Sequence, residues 1–410
     1  MRILNLTLVL ALAIAVALDR FALARKSRLL EQLIVPVVTA VFLAQLLLIW
    51  SHNTRMPNAL GGWLPWSDAK GYWEGLTHMR LTGQINEWNS RRPLNLIYFL
   101  GMDRLSLGHY SGLLLAMTLA VGLCTGYLSL ALKRLWGWSA ATMSFLYVFF
   151  FWQAEAAGVL LSESIGLIFG LAAAFFLLTA FKRRHWHLAL LGFFALSWAL
   201  ACRNGAMFAL PAVAFGLMRT STFSGRSRVR RAVELAVAAA LPFALSYGLL
   251  QWRSETPDGI SGNFSYTLYG IVAGRHDWTR AYQDFPEIKA MPETARAQFV
   301  YQKAFLLIRE NPLRLGLSLD QIPKFSVFGH HYFSFFPFSN LQWLFGVVAA
   351  GVMLIWLLRA LGARFRWLSL IEEFPESIGL VAACHLGVAL SAPRRDPRPR
   401  LHPGGDLTRR

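Results

Sequence analysis

A chain of 410 residues, 55% hydrophobic and 15% charged, could fill one large soluble domain or a bundle of membrane spans. The distribution decides for spans, because apolar windows near the ~20 residues that cross a bilayer recur along the chain. The formal charge of +18 argues less for nucleic acid than it first suggests. The cations form short runs between apolar windows, Lys182-Arg183-Arg184 and Arg226, Arg228, Arg230 and Arg231, where retained basic residues mark the cytoplasmic side. Membrane lipids, not nucleic acid, are the expected surroundings.

In chain order, residues 1–18 form a first apolar window. With no small-x-small cleavage site leading into a polar start, it reads as a retained span. Arg20, Arg25, Lys26 and Arg28 then mark the cytoplasm, and window 29–50, containing Pro36, carries Trp50 to the far interface. The loop 51–108 is therefore external. Within it, Ser67 or Asp68 is placed to cap a helix over Ala69–Leu81 with an interfacial face at Trp73, Leu76 and Met79 or Arg80. Arg91-Arg92-Pro93 leads into an apolar patch, Leu94–Leu100, too short to span and expected to lie along or partly inside the membrane.

Windows follow at 109–132, 138–152, 165–181, 188–200, 206–218 and 232–251. Those at 188–200 and 206–218 are short, and a tight external turn with Arg203 at its tip separates them. A second external region, 252–340, holds the Tyr266–Tyr269 stretch, His276-Asp277 and a helix-like run Thr294–Glu310. Its part 313–339 is apolar but contains Arg314, Asp320, Lys324, His330 and His331; both an interfacial and a spanning arrangement fit. Windows 341–358 and 377–391 precede a Pro/Arg-rich tail, 392–410, expected to be disordered. The expected fold is an all-α polytopic membrane protein over 1–391, with roughly nine to eleven spans. Cys124, Cys202 and Cys384 lie in or beside apolar windows without metal-ligand spacing, and read as small buried hydrophobes.

The external side gathers the residues able to do chemistry. Asp68 and Glu163 are carboxylates beside apolar segments, and Arg91, Arg92 and Arg203 are guanidinium groups at similar depth. Any one of them could be a solvated span terminus that snorkels to water. Together they suit an anionic lipid headgroup and a general base. A carboxylate can take the proton of an attacking hydroxyl, and burial beside Trp63 and Trp66 would make it more basic. Arginine, permanently charged and forked, can hold a leaving phosphate. Tyr72, Tyr266 and Tyr269 could offer faces to a sugar ring, though interface anchoring explains most single aromatics. His330 and His331 are weaker candidates for a metal or phosphate contact. Glycine-rich nucleotide-binding, zinc-protease and kinase motifs are absent.

This layout resembles the GT-C superfamily of multi-span glycosyltransferases, which includes the protein O-mannosyltransferases and the aminoarabinose transferases of lipid A. The residues that carry the resemblance are Ser67-Asp68-Ala69-Lys70-Gly71-Tyr72, Arg91-Arg92-Pro93-Leu94, Leu161-Ser162-Glu163-Ser164 and Arg203-Asn204-Gly205. Their order matches a catalytic acid in an early external loop, an arginine-proline-leucine element, a second external acid and a later arginine between spans. The resemblance covers roughly residues 30–250 with some specificity. It departs where several relatives have paired acids, since Ala69 follows Asp68 and the nearest acid is Glu74. It implies a GT-C-like helical bundle with external interface helices, in the bacterial inner membrane, and an inverting transfer from a polyprenyl-phosphate sugar donor to an extracytoplasmic acceptor. Asp68 would be the base and Glu163 would position the acceptor or share a divalent metal with it. Arg91, Arg92 or Arg203 would grip the donor phosphate. The alternatives are a transporter or flippase of lipid-linked sugars, and an oligosaccharide ligase or polymerase using a diphosphate-linked donor.

Overall fold

The computed structural model describes residues 28–316 apart from 53–58, 61–63, 203–208, 220–222, 224–226, 256–261 and 275–278. Windows 1–18, 341–358 and 377–391, the tail, most of the ambiguous stretch 313–339, and residues Trp63, Arg203, His276, Asp277, His330 and His331 lie outside the described residues.

Four described helices are long and apolar enough to cross a membrane: α1 (Arg28–Ser51), α5 (Tyr110–Trp136), α7 (Ser162–Arg183) and α10 (Arg228–Arg253). The expected windows at 138–152, 188–200 and 206–218 are helices as well, α6 (Trp138–Glu155), α8 (Trp186–Cys202) and α9 (Ala209–Arg219). They do not join the four: α6 is rich in aromatic and polar residues, while α8 and α9 have 17 and 11 residues. Helices dominate because a backbone in hydrocarbon must satisfy its own hydrogen bonds. Helix α1 continues through Pro36, and α10 through Pro242.

The spans pack by close approach at small residues. A Cβ on Gly122 or Gly126 of α5 would stand 2.9 Å from the Cα of Thr39 or Val35 on α1, so the four-residue glycine spacing lets the two backbones meet. These helices are antiparallel, and Glu31 at the start of α1 is ion-paired with Lys133 and, at 3.1 Å, with Arg134 at the end of α5. Helices α5 and α7 run parallel, with Tyr127 and Phe175 at matching heights, their ring centroids 5.9 Å apart. The basic ends of both helices therefore lie at one end of the bundle. Phe42 fills the centre of the α1–α5–α6 core, edge-on to Phe145, Phe149 and Trp152.

At the other end lies a platform of three helices, α2 (Asp68–Thr82), α3 (Glu87–Ser90) and α4 (Pro93–Leu105). A two-residue hairpin ladder pairs β1 (Ala59–Leu60) with β2 (Leu64–Pro65) just before it. The helix expected over 69–81 is present, but its start differs from the expected cap. Ser67 occupies the cap position at φ 52° and its side chain makes no capping hydrogen bond. The expected interfacial face of α2 turns inward: Leu76 is fully buried and Trp73 packs edge-on to Tyr110 at 4.9 Å. In α4, Leu94, Leu96 and Phe99 are buried with Leu113, Leu160, Leu161 and Ile165 of the spans and their loops. Amphipathic sequence alone does not say whether the apolar stripe meets lipid or protein.

The platform is clipped to the end of α10. Ile85 N donates to Arg253 O at 2.7 Å, Glu255 N donates to Ile85 O at 3.2 Å, and His78 and Glu255 side chains meet at 2.8 Å. A further cluster follows in α11 (Gly262–Val272), α12 (Arg280–Asp284), a 3-10 turn and α13 (Glu293–Glu310), packed on Tyr266, Tyr269, Val272, Ile288 and Val300. The run expected at 294–310 is this last helix.

Candidate functional site

The site is built where the platform meets the starts and ends of the spans. Pro93 is the first residue of α4, and its fixed φ and missing N–H favour a helix start there. Arg92 is thereby held in the cap position, half-buried, with its side chain directed at α7. Its Nη1 donates to Ser162 Oγ at 2.9 Å and, more weakly, to Tyr72 Oη at 3.4 Å. Ser162 in turn donates to Glu163 Oε2 at 3.0 Å. Ser162 and Tyr72 are buried, while Glu163 is half-buried. Three elements distant in sequence thus join in one polar chain: Tyr72, Arg92, Ser162, Glu163.

Ser162 and Glu163 open α7, where the next amide, Ser164 N, donates back to Leu161 O at 3.2 Å. The helix dipole adds positive potential there. Arg92 brings a permanent cation to the same spot. Such an arrangement is suited to a phosphate oxygen, which could displace the Ser162 hydroxyl from the guanidinium at the positive end of the helix dipole.

Arg91 and Arg92, equivalent in sequence, have separate roles in the structure. Arg91 lies over the Trp88 ring with its guanidinium carbon 4.4 Å from the centroid, which holds it on α3. The expectation that the pair acts alike therefore divides, and Arg92 is the member facing Ser162.

Asp68 lies at the first position of α2, one turn before Tyr72 and ~6 Å from it between Cβ atoms on the same helix face. It is exposed, as is Trp66. The burial beside Trp66 expected for Asp68 is absent, because the helix starts at the surface and its buried residues, Ala69, Tyr72, Gly75 and Leu76, begin after it. Asp68 and Glu163 nevertheless share one end of the bundle. Ala69 and Tyr72 next to the aspartate pack in the same apolar cluster as Leu161 and Ile165 next to the glutamate.

Tyr266 and Tyr269 do not join this chain. Tyr266 stacks on Tyr282 with centroids 5.2 Å apart, and Tyr269 donates to Asp284 at 2.8 Å, a carboxylate that Arg280 also holds at 2.8 Å. Both serve the packing of the α11–α13 cluster. Burial first, then the Asp284 partner, pushes the Tyr269 phenol up to about 12. Among the described residues no three His, Cys, Asp or Glu side chains converge as a metal-binding group. Asp68 is exposed, and Glu163 accepts the Ser162 hydroxyl.

Sequence reasoning passed over two polar residues of α4. Asn95, fully buried, donates from Nδ2 to Cys202 O at 3.2 Å while its Oδ1 has no partner among the described residues. Asp103 is 3% exposed, with Arg80 3.6 Å from Oδ2 and no described partner for Oδ1. Their signal was available: Asn95 lies one turn after Arg92, and Asp103 is an isolated acid in an apolar helix.

Comparison with models of known families, with curated proteins and with solved structures gives no match to this chain; what the fold itself shows is a polytopic, largely helical membrane protein.

Proposed function

We propose that the chain is a membrane-embedded glycosyltransferase of the GT-C type, moving a sugar from a polyprenyl-phosphate donor to an extracytoplasmic acceptor. The observation that supports this reading most is the Arg92–Ser162 contact at the start of α7, which brings a cation and a hydroxyl to the positive end of a helix dipole. A lipid phosphate there would leave its chain among the spans and its sugar toward the platform. In the proposed reaction the acceptor hydroxyl attacks the anomeric carbon as the bond from that carbon to the phosphate oxygen breaks. The acceptor proton passes to the Asp68 carboxylate, and polyprenyl phosphate leaves on Arg92. Exposure of Asp68 suits an acceptor arriving from water, while Glu163 positions Ser162 through their hydrogen bond.

The test is transfer by the purified full chain with a panel of polyprenyl-phosphate sugars, comparing wild type with Asp68→Asn and Glu163→Gln. Loss of the base is expected to cost about 10²–10⁴ in rate for Asp68→Asn. Glu163→Gln, which keeps an acceptor for the Ser162 hydroxyl, should lose less. Full activity of Asp68→Asn would remove the base assignment, and activity only with diphosphate donors would favour a ligase or polymerase.

A further inference from the structure

The opposite end of the bundle carries a feature that the transfer reaction does not use. The last turn of α7, the first turn of α8, the end of α9 and the start of α10 converge on three aromatic rings. Phe223 packs against Phe181 at 5.5 Å and against Trp186 at 5.3 Å between centroids. Leu177, Ala180, Val213, Leu217 and Leu235 complete this apolar cluster. Arg231 Nη1 reaches Leu217 O at 3.5 Å, which fixes α10 against α9.

Around this aromatic centre stand Lys182, Arg183, Arg184, Arg219 and Arg228, all exposed. The acids of the described residues at this end are already engaged: Glu234 accepts from Arg230 at 2.9 Å and from Trp186, and Glu31 is held by Lys133 and Arg134. The surface therefore keeps a local excess of positive charge over a buried aromatic cluster, and beside it an apolar edge of Phe215, Val229 and Val233 stays exposed on α9 and α10, with Arg219 lying over the Phe215 ring at 5.2 Å. A topology signal alone requires cations in the loops; it does not require that they be gathered round one aromatic cluster by tertiary packing.

We propose that this basic, aromatic-centred end binds anionic phospholipid headgroups, the phosphates lying among Arg183, Arg184, Arg219 and Arg228 and the acyl chains running along the apolar edge. Charge complementarity selects this occupant. Anionic lipid is concentrated at a membrane surface, and each nearby basic residue is expected to favour it roughly fivefold. A soluble anion would gain from the charges but not from the apolar edge.

The experiment uses the full chain reconstituted in mixed phosphatidylcholine and phosphatidylglycerol, with retained lipid quantified by mass spectrometry after purification. Both leaflets then offer the anionic lipid, so orientation does not affect the reading. Phosphatidylglycerol is expected to be enriched at least ~5-fold over the bulk mixture, and the enrichment should fall with salt. It should drop to the bulk ratio in the combined variant Arg183→Gln, Arg184→Gln, Arg219→Gln, Arg228→Gln, and persist when the same four positions carry lysine. Arg280→Gln with Arg309→Gln, in the α11–α13 cluster, should leave it intact. Salt dependence on wild type alone carries the test if the glutamine variant does not fold. Retention at the bulk ratio, salt-insensitive enrichment, equal enrichment in the glutamine variant, or displacement by an equal concentration of inorganic phosphate would each overturn the proposal.

Discussion

Arg92 donates to Ser162 across seventy residues of sequence, and that single bond ties the platform to the first turn of a span. Arginine at this position reaches Tyr72 and Ser162 with one nitrogen of its planar fork. Lysine keeps the charge and loses the fork. Arg92→Lys is therefore expected to slow sugar transfer by about 10²-fold, with Arg92→Gln slower still. Ser162→Ala should raise the donor KM more than it lowers kcat, because the hydroxyl orients the ground-state phosphate. Steady-state kinetics with a polyprenyl-phosphate sugar decide, and equal activity of Arg92→Lys would show that only charge matters.

Ser67 precedes the exposed Asp68 at φ 52°, ψ −126°, a conformation that favours glycine. Strain of this kind costs about 1–3 kcal/mol, against about 0.5–1 kcal/mol of extra chain entropy that glycine loses on folding. Ser67→Gly is expected to stabilise the protein by ~1 kcal/mol and raise its thermal midpoint. If that strain holds Asp68 in place, the same variant will lose activity while gaining stability. A thermal scan and a transfer assay on one preparation measure both; a lower midpoint would count against strain.

Gly75 offers a sharper packing test. A Cβ there would lie 1.6 Å from Asn89 Nδ2, and one on Gly71 would lie 2.5 Å from Trp88 Nε1. Neither neighbour is free to retreat cheaply, since Asn89 is fully buried and bonded to Asn86 and to Gly71 O, and Trp88 carries Arg91. Gly75→Ala should destabilise by about 1–3 kcal/mol, while Gly101→Ala, with open space around it, should not. Thermal unfolding in a fixed detergent compares them.

The α11–α13 cluster predicts an alkaline transition. Tyr269 stays protonated in the folded state to about 12, against an ordinary value of 10.0. A raised phenol favours the folded chain fully below pH ~10, and that advantage declines as pH rises toward ~12, because the unfolded phenol ionises first. Tyr269→Phe should flatten the decline between these values and cost ~1 kcal/mol at neutral pH through the lost Asp284 bond. Some slope should remain from Tyr301, also pushed up by burial. Denaturant midpoints from pH 8 to 12 check the window; an unchanged slope in the phenylalanine variant would assign the transition elsewhere.

Much of the bundle could be read from residues alone. Long apolar windows became α1, α5, α7 and α10 because helix formation in lipid is dictated locally, and the cations at their ends fixed their sense. What stayed hidden depends on contacts between distant segments. Nothing in Arg91-Arg92 says that one stacks on Trp88 while the other reaches Ser162. The apolar stripe of α2 suggested a lipid interface, yet it faces Tyr110 and Leu161. Asp68 looked shielded because tryptophans flank it in sequence, whereas its neighbour Trp66 is itself exposed. Asn95 and Asp103 were missed for the same reason: whether a lone polar residue in an apolar helix meets water, lipid or protein is decided by a partner the local pattern does not name.

The backbone clip at Ile85 has a bearing on how the chain is made. Its partners Arg253 and Glu255, and the His78–Glu255 contact that spans 177 residues, are synthesised long after the platform has left the ribosome. Helices α2 to α4 can gather against α5 and α7 early, but the clip at Ile85 cannot close until α10 has been threaded through the bilayer. The last of the four spans thus serves as the closing clasp of biogenesis, and a ribosome stalled before residue 253 would hold a nascent chain whose platform is assembled yet still unlatched.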